Sequence, residues 1–325
     1  MDPFLLQIAP MIDVSHRHCR FFWRLLHPSI PLTTEMITAN AVIHGDRQQL
    51  LGFAAKEKPL TVQLAGAEPG PLGEATRIVS EFAFAEINLN VGCPSDRVQA
   101  GRFGACLMKE PALVAQLVAT MKSHSHLPIS VKTRIGIDHQ DDYDFLAHFV
   151  ELVAKAGCNK FIIHARKAWL HGLSPKQNRE VPPLDYQRVY AIKKAFPELT
   201  IIINGGLCSI EQINAQRGYV DGVMLGRVAQ EEPYFLAHLA HEFLQIPLPS
   251  REQVAMDYYQ YCLQQAAEGH SLGVLIKQLF QLYKGQPGAK QWRQLLTDYP
   301  NKGLAVVPQA IEKMQSLLAA PIESR

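Results

Sequence analysis

Residues 160–164 read KFIIH, residues 200–204 read TIIIN and residues 222–226 read GVMLG. A run that is apolar at nearly every position has no face to give to water. It reads as a strand covered on both sides, the situation of parallel strands flanked by helices. Moving back toward the N-terminus, further runs at 5–9, 32–36, 60–64, 86–90 and 129–133 bring the number to eight. Between them lie segments with apolar positions three and four apart, at 73–84, 111–122, 142–156 and 185–196. Gly157 follows the third of these and Pro197 the fourth, each a helix stop. Eight β–α alternations predict a closed TIM (β/α)₈ barrel. An open doubly wound sheet would carry a glycine fingerprint after its first strand. This chain has Ala9-Pro10-Met11-Ile12 there instead.

The rhythm stops near residue 243. LQIPLPSREQ (244–253) reads as a linker, and 251–268, 271–284 and 305–318 read as helices with no strand among them. The expected organisation is a catalytic barrel over 1–243 and a small helical domain over 244–325. The length of 325 residues fits a barrel of about 250 plus such an appendage. No stretch approaches the roughly 20 apolar residues of a membrane helix, and MDPFLLQIAPMID lacks the basic start of a signal peptide. A cytoplasmic protein is expected. The six cysteines (19, 93, 106, 158, 208 and 262) include no C-x-x-C pair, so neither a metal site nor a disulfide framework is predicted. The net charge of +2 demands no nucleic-acid partner, so such a partner must be argued from local patches.

Barrel chemistry gathers at the C-terminal ends of the strands. Here those ends carry Pro10 and Met11, Glu35, Gln63, Asn90 ahead of Gly92-Cys93-Pro94, Lys132 and Arg134, His164, Asn204-Gly205-Gly206, and Gly226-Arg227. Glycines after the last two strands match the phosphate corner of such barrels, where backbone N–H groups receive an anion, and Arg227 adds a charge. Lys132, inside an apolar strand, needs either a counter-ion or a role beside an electron-accepting cofactor such as a flavin. His164 ends the next strand. Cys93 sits in a loop near the barrel mouth. A nucleophile there would want a depressed pKa, whereas an ordinary thiol near 8.5 stays protonated at neutral pH and suits a general acid. The residues leave both roles open.

APMIDVSHRHCR (9–20), TEMITANAVIHG (34–45), VQLAG (62–66), EINLNVGCPSDRVQAGRFGACLM (86–108), VKTRIGID (131–138), FIIHARKAWLHGLSPKQNREVPPLDY (161–186), INGG (203–206) and DGVMLGR (221–227) together resemble the tRNA-dihydrouridine synthases. HARKAWLHGLSP is typical of the A subfamily, and PGAKQWR (287–293) is compatible with it. The resemblance implies FMN as cofactor and NADPH as reductant. It implies FMN contacts at Pro10, Met11, Ile12, Gln63, Lys132, His164, Asn204, Gly205, Gly206, Gly226 and Arg227. Asn90 and Cys93 would face the target uracil, and Gln177 and Arg179 would touch RNA. The implied reaction is reduction of uridines 20 and 20a in the tRNA D-loop, with hydride from FMN N5 to C6 and a proton from Cys93 to C5.

A candidate phosphate-binding patch comprises Lys277, Lys284, Lys290, Arg293 and Lys302, with Asp298 opposing it and Tyr283 and Trp292 adding aromatic surface. Two other classes compete: a flavin barrel reducing a free pyrimidine or orotate, and a non-catalytic RNA-binding protein on a dead barrel.

Overall fold

A computed structural model describes residues 4–95, 98 and 101–319. Eight parallel strands form one sheet: β1 (Leu5–Ile8), β2 (Leu32–Thr38), β3 (Leu60–Ala65), β4 (Glu86–Asn90), β5 (Ile129–Arg134), β6 (Lys160–His164), β7 (Thr200–Asn204) and β8 (Gly222–Leu225). They pair in the order β1-β8-β7-β6-β5-β4-β3-β2. The sheet curls back on itself, because Ile8 N donates to Pro31 O (2.9 Å) and Thr33 Oγ1 donates to Ile8 O (2.8 Å). The result is a TIM barrel.

Side chains alternate across each strand, so every second residue faces the interior. One side of that interior is apolar, built from Ala9, Ile162, Ile202 and Met224 with Met11 packed against them. The outward residues bury themselves under the helices: Val62, Leu64, Leu89, Val131, Phe161, Ile201 and Ile203 are fully buried.

The connecting helices include Pro69–Val79, Pro111–Ser123, Tyr143–Lys155 and Tyr186–Ala195. Three match expectation to within a residue or two. The fourth was expected at 73–84 and instead starts at Pro69 and ends at Val79. Proline is well placed in the first turn of a helix, where its missing N–H is no loss. The apolar spacing misleads at the other end because Phe84 leaves the helix to pack against Phe53, with ring centroids 4.8 Å apart.

The chain divides into two compact units: residues 1–15 with 30–226, and residues 16–29 with 227–325. The helix Arg17–Leu26 belongs to the second unit because its large side chains pack there. Trp23 Nε1 donates to Ala229 O (2.8 Å), and Phe21 stacks on Tyr261 at 3.8 Å. The rest of that unit includes Phe235–Leu244, Arg251–Ala267, Ala289–Leu296 and Val306–Ala319. The predicted helix at 271–284 is only partly one. After Leu272–Ile276 the chain tightens into i→i+3 turns, with Phe280 N bonding Lys277 O and Leu282 N bonding Leu279 O. No described helix is long and apolar enough to cross a membrane.

Candidate active site

Gln63, Asn90, Cys93, Lys132, His164, Asn204, Gly205 and Gly206 lie toward the C-terminal ends of β3 to β7. Asn90, the last residue of β4, is 7% exposed. Its Oδ1 accepts from both Gly92 N and Cys93 N, each at 3.1 Å. A backbone N–H can only donate, so the amide oxygen is fixed toward the Cys93 loop and Nδ2 toward Gln63 Oε1, 2.8 Å away. Cys93 is half-buried, and its Sγ lies 3.5 Å from Ser95 Oγ. The loop closes back on itself where Ala105 N donates to Cys93 O (2.9 Å). Gly104 makes this possible. Its φ is +76°, and a Cβ there would sit 2.6 Å from Cys93 O.

Lys132 Nζ donates to Asn204 Oδ1 (3.1 Å), and Asn204 Nδ2 donates to Met224 O (2.8 Å). The lysine's partner is thus an amide rather than the counter-ion considered from sequence. Burial, with the Arg134 guanidinium nearby, pulls Lys132 down to about 7.

His164 Nδ1 accepts from Arg166 N (3.2 Å), which leaves the ring proton on Nε2 in the neutral tautomer. Burial holds the imidazole well below its ordinary value, assisted by the charges of Arg134, Lys132, Arg166 and Arg179. At neutral pH His164 is therefore an uncharged donor. After β7, Gly205 (φ +115°) and Gly206 (φ +75°) turn the chain tightly. Cβ atoms there would meet His164 Cε1 at 3.2 Å and Leu184 Cδ1 at 2.5 Å. Gly226 is different, since nothing closer than 4.0 Å would meet its Cβ. Pro10 and Met11 are part-buried, whereas Ile12 is 53% exposed.

Arg134 was legible only as a charged strand end. The structure gives it four carbonyls in two loops: Nε donates to Gly92 O (2.9 Å), and Nη1 donates to Lys167 O and Asn178 O (3.0 Å each) and approaches Arg166 O at 3.5 Å. Burial brings its guanidinium down to about 10, so it stays charged at neutral pH. Asn178, which sequence reasoning missed, is fully buried. Its Nδ2 bonds Trp169 O and Leu173 O, and its Oδ1 accepts from Trp169 N (2.7 Å). Gln177 and Arg179 flank it, both exposed. No signal in the sequence distinguishes Asn178 from the polar residues around it.

Arg227, Lys290 and Arg293 lie in the second unit, all exposed. The aromatic surface expected around them is absent. Trp292 and Tyr283 are core residues at 0% and 1% exposure, 4.5 Å apart, and Trp292 Nε1 is bonded to Leu279 O. They are buried together with Leu279, Leu282, Leu296 and Met314. Lys284 pairs with Glu232 (2.8 Å) and Lys302 with Asp298 (3.0 Å).

A family model described as dihydrouridine synthase matches residues 7–316. The chain is 49% identical over 315 residues to a tRNA-dihydrouridine(20/20a) synthase of Vibrio vulnificus, covering 95% of this chain and 96% of the relative. It is 50% identical over 311 residues to the protein of the same name from Xanthomonas axonopodis pv. citri, covering 95% and 93%. Against that of Synechocystis sp. the identity is 50% over 295 residues, covering 90% and 88%.

Proposed function

The chain belongs to the dihydrouridine synthase family, and on that premise we propose that it reduces D-loop uridines of tRNA, at positions 20 and 20a, to 5,6-dihydrouridine. FMN is the cofactor and NADPH the reductant. The observation that carries this reading is the half-buried Cys93, its backbone fixed by Asn90, at the same barrel end as Lys132 and His164.

The donor set fits a flavin. A reduced flavin is an electron-rich ring edged with carbonyl oxygens, and a cation or neutral donors beside it stabilise the charge. Lys132 and the Nε2–H of His164 supply such groups. Positive φ at Gly205 and Gly206 bares backbone N–H groups of the kind that hold a phosphate. Gln63, Lys132, His164, Asn204, Gly205 and Gly206 would hold the ring and phosphate, with Pro10, Met11, Ile12, Gly226 and Arg227 around them. When bound, the flavin supplies hydride to uracil C6.

The chain's own part is to receive the base and move a proton. The uridine must leave its local stack, a cost of a few kcal/mol that is lower in a loop. Asn90 keeps an N–H beyond the one given to Gln63, and it holds a uracil carbonyl. As the ring gains electrons, negative charge develops over O4 and C5. Cys93 gives the Sγ proton to C5, general-acid help worth about 10²–10⁴-fold. Gln177 and Arg179 contact the RNA from their loop. In the second unit Lys277, Lys290 and Arg293 add phosphate contacts. A tRNA substrate is consistent with a cytoplasmic protein.

The test compares substrates. Flavin-loaded protein should consume NADPH faster when given tRNA lacking dihydrouridine, and should ignore free uracil and orotate. The reverse pattern would move the assignment to a small-molecule reductase.

A further inference from the structure

The strand β4 reads EINLN, polar at Glu86, Asn88 and Asn90 and apolar between. Period-two alternation puts those three side chains on one face, and here that face is the barrel interior, where branched apolar residues usually pack. A continuous hydrogen-bonded line runs through them. At the N-terminal end of the barrel, Lys160 Nζ donates to Glu86 Oε2 (2.8 Å). Ser130 Oγ donates to Glu86 Oε1 (2.5 Å), and Asn88 Nδ2 donates to Ser130 Oγ (2.8 Å). Gln63 Nε2 donates to Asn88 Oδ1 (2.8 Å) and Asn90 Nδ2 donates to Gln63 Oε1 (2.8 Å). The line ends where Asn90 Oδ1 accepts from Gly92 N and Cys93 N. Glu86 and Asn90 are four residues apart, a rise of roughly 13 Å. Asn88, Ser130 and Gln63 are each no more than 2% exposed.

Both ends force the same direction. A carboxylate has only acceptor sites, and a backbone N–H can only donate. Every hydroxyl and amide between them must therefore donate toward Glu86 and accept from the Cys93 side, and flipping any one would leave two buried groups facing like with like. A consequence at the mouth is that the amide NH₂ groups of Gln63 and Asn90 each retain a hydrogen beyond the one in the line. Donors are the groups wanted where negative charge develops on a substrate carbonyl.

We propose that Glu86 is a positioning residue: its carboxylate sets the polarity of this interior line and thereby fixes the Asn90 amide and the Cys93 loop for protonation of the substrate. The proposal rests on the reading that Asn90 and Cys93 face the uracil. Glu86→Gln keeps the shape but can donate as well as accept, so the direction is no longer enforced. Ser130→Ala cuts the line at its first link beyond Glu86.

The test uses the flavin-loaded enzyme and follows iodoacetamide alkylation of Cys93 by mass-mapped peptides, with buried Cys158 as an internal control. Cys158 Sγ lies 3.3 Å from Lys160 O and so reports the lower end of the barrel. Each single variant should speed Cys93 alkylation by about two- to tenfold, the effect of losing one net hydrogen bond. The double variant should add nothing further, because both act through one line. Cys158 should stay protected, and turnover with tRNA should fall while its KM holds. Unchanged Cys93 reactivity, compounding effects in the double variant, or Cys158 rising in step with Cys93 would each overturn the proposal. Should Glu86→Gln fail to fold, Ser130→Ala carries the same comparison. A wild type without tRNA turnover would sink the functional reading instead, and the alkylation result would still decide the line.

Discussion

Lys132 is held at about 7, well under its ordinary value of 10.5, chiefly by burial. A base with a lowered folded pKa costs stability at every pH where the unfolded chain would be protonated. The cost is full below about 7, shrinks as pH rises from there, and is gone above 10.5. Each unit corresponds to about 1.4 kcal/mol, so the total is on the order of a few kcal/mol. Flavin-free Lys132→Met should therefore have a higher thermal midpoint than the wild type at pH 6, with the gap closing by pH 10. The same variant should retain flavin weakly and turn over slowly. A gap that does not change with pH would show that Lys132 is not desolvated as described.

Among the elements, the loop after β6 owes its order to a few buried polar groups. Asn178 makes three hydrogen bonds inside its own loop while Arg134 takes its carbonyl. Asn178→Ala should release that loop. Trypsin cleavage at Lys176 and Arg179 should quicken, and KM for tRNA should rise several-fold with flavin content unchanged; unaltered proteolysis would mean that Arg134 alone suffices. These loop bonds were not legible in the sequence, because nothing in SPKQNRE says which polar residue turns inward. The strands were legible, as FIIH and TIIIN leave no solvent face. The helix Arg17–Leu26 was passed over, since a run with Arg17, His18, Arg20 and Arg24 looks too polar to be core. In fact His18, Arg20 and Arg24 are buried with Phe22 and Trp23. The strand ends could be singled out because barrel geometry fixes where chemistry sits. The partners of those ends could not, because Gln63, Asn88 and Ser130 meet only across three strands.

For the whole molecule, tRNA binding is electrostatic in the main, and its cations must be unpaired and outward. Trp292 and Tyr283 are core, and Lys284 and Lys302 hold carboxylates, which narrows the expected patch to Lys277, Lys290 and Arg293. Reversing Lys290 and Arg293 to glutamate should weaken tRNA binding, lower the salt dependence by about one unit of slope per lost contact, and leave the flavin in place. Binding with an unchanged salt slope would remove these two from the interface.

Everything proposed for the barrel mouth turns on protonation of a tRNA uridine by Cys93. Its most direct test incubates wild type and Cys93→Ala with NADPH and tRNA lacking dihydrouridine, then digests the tRNA and maps fragment masses. The wild type should add two hydrogens at D-loop positions 20 and 20a. Cys93→Ala should add them about 10²–10⁴-fold more slowly while still binding flavin and oxidising NADPH. Equal gains from the two proteins, or none from a yellow wild type that consumes NADPH, would contradict it.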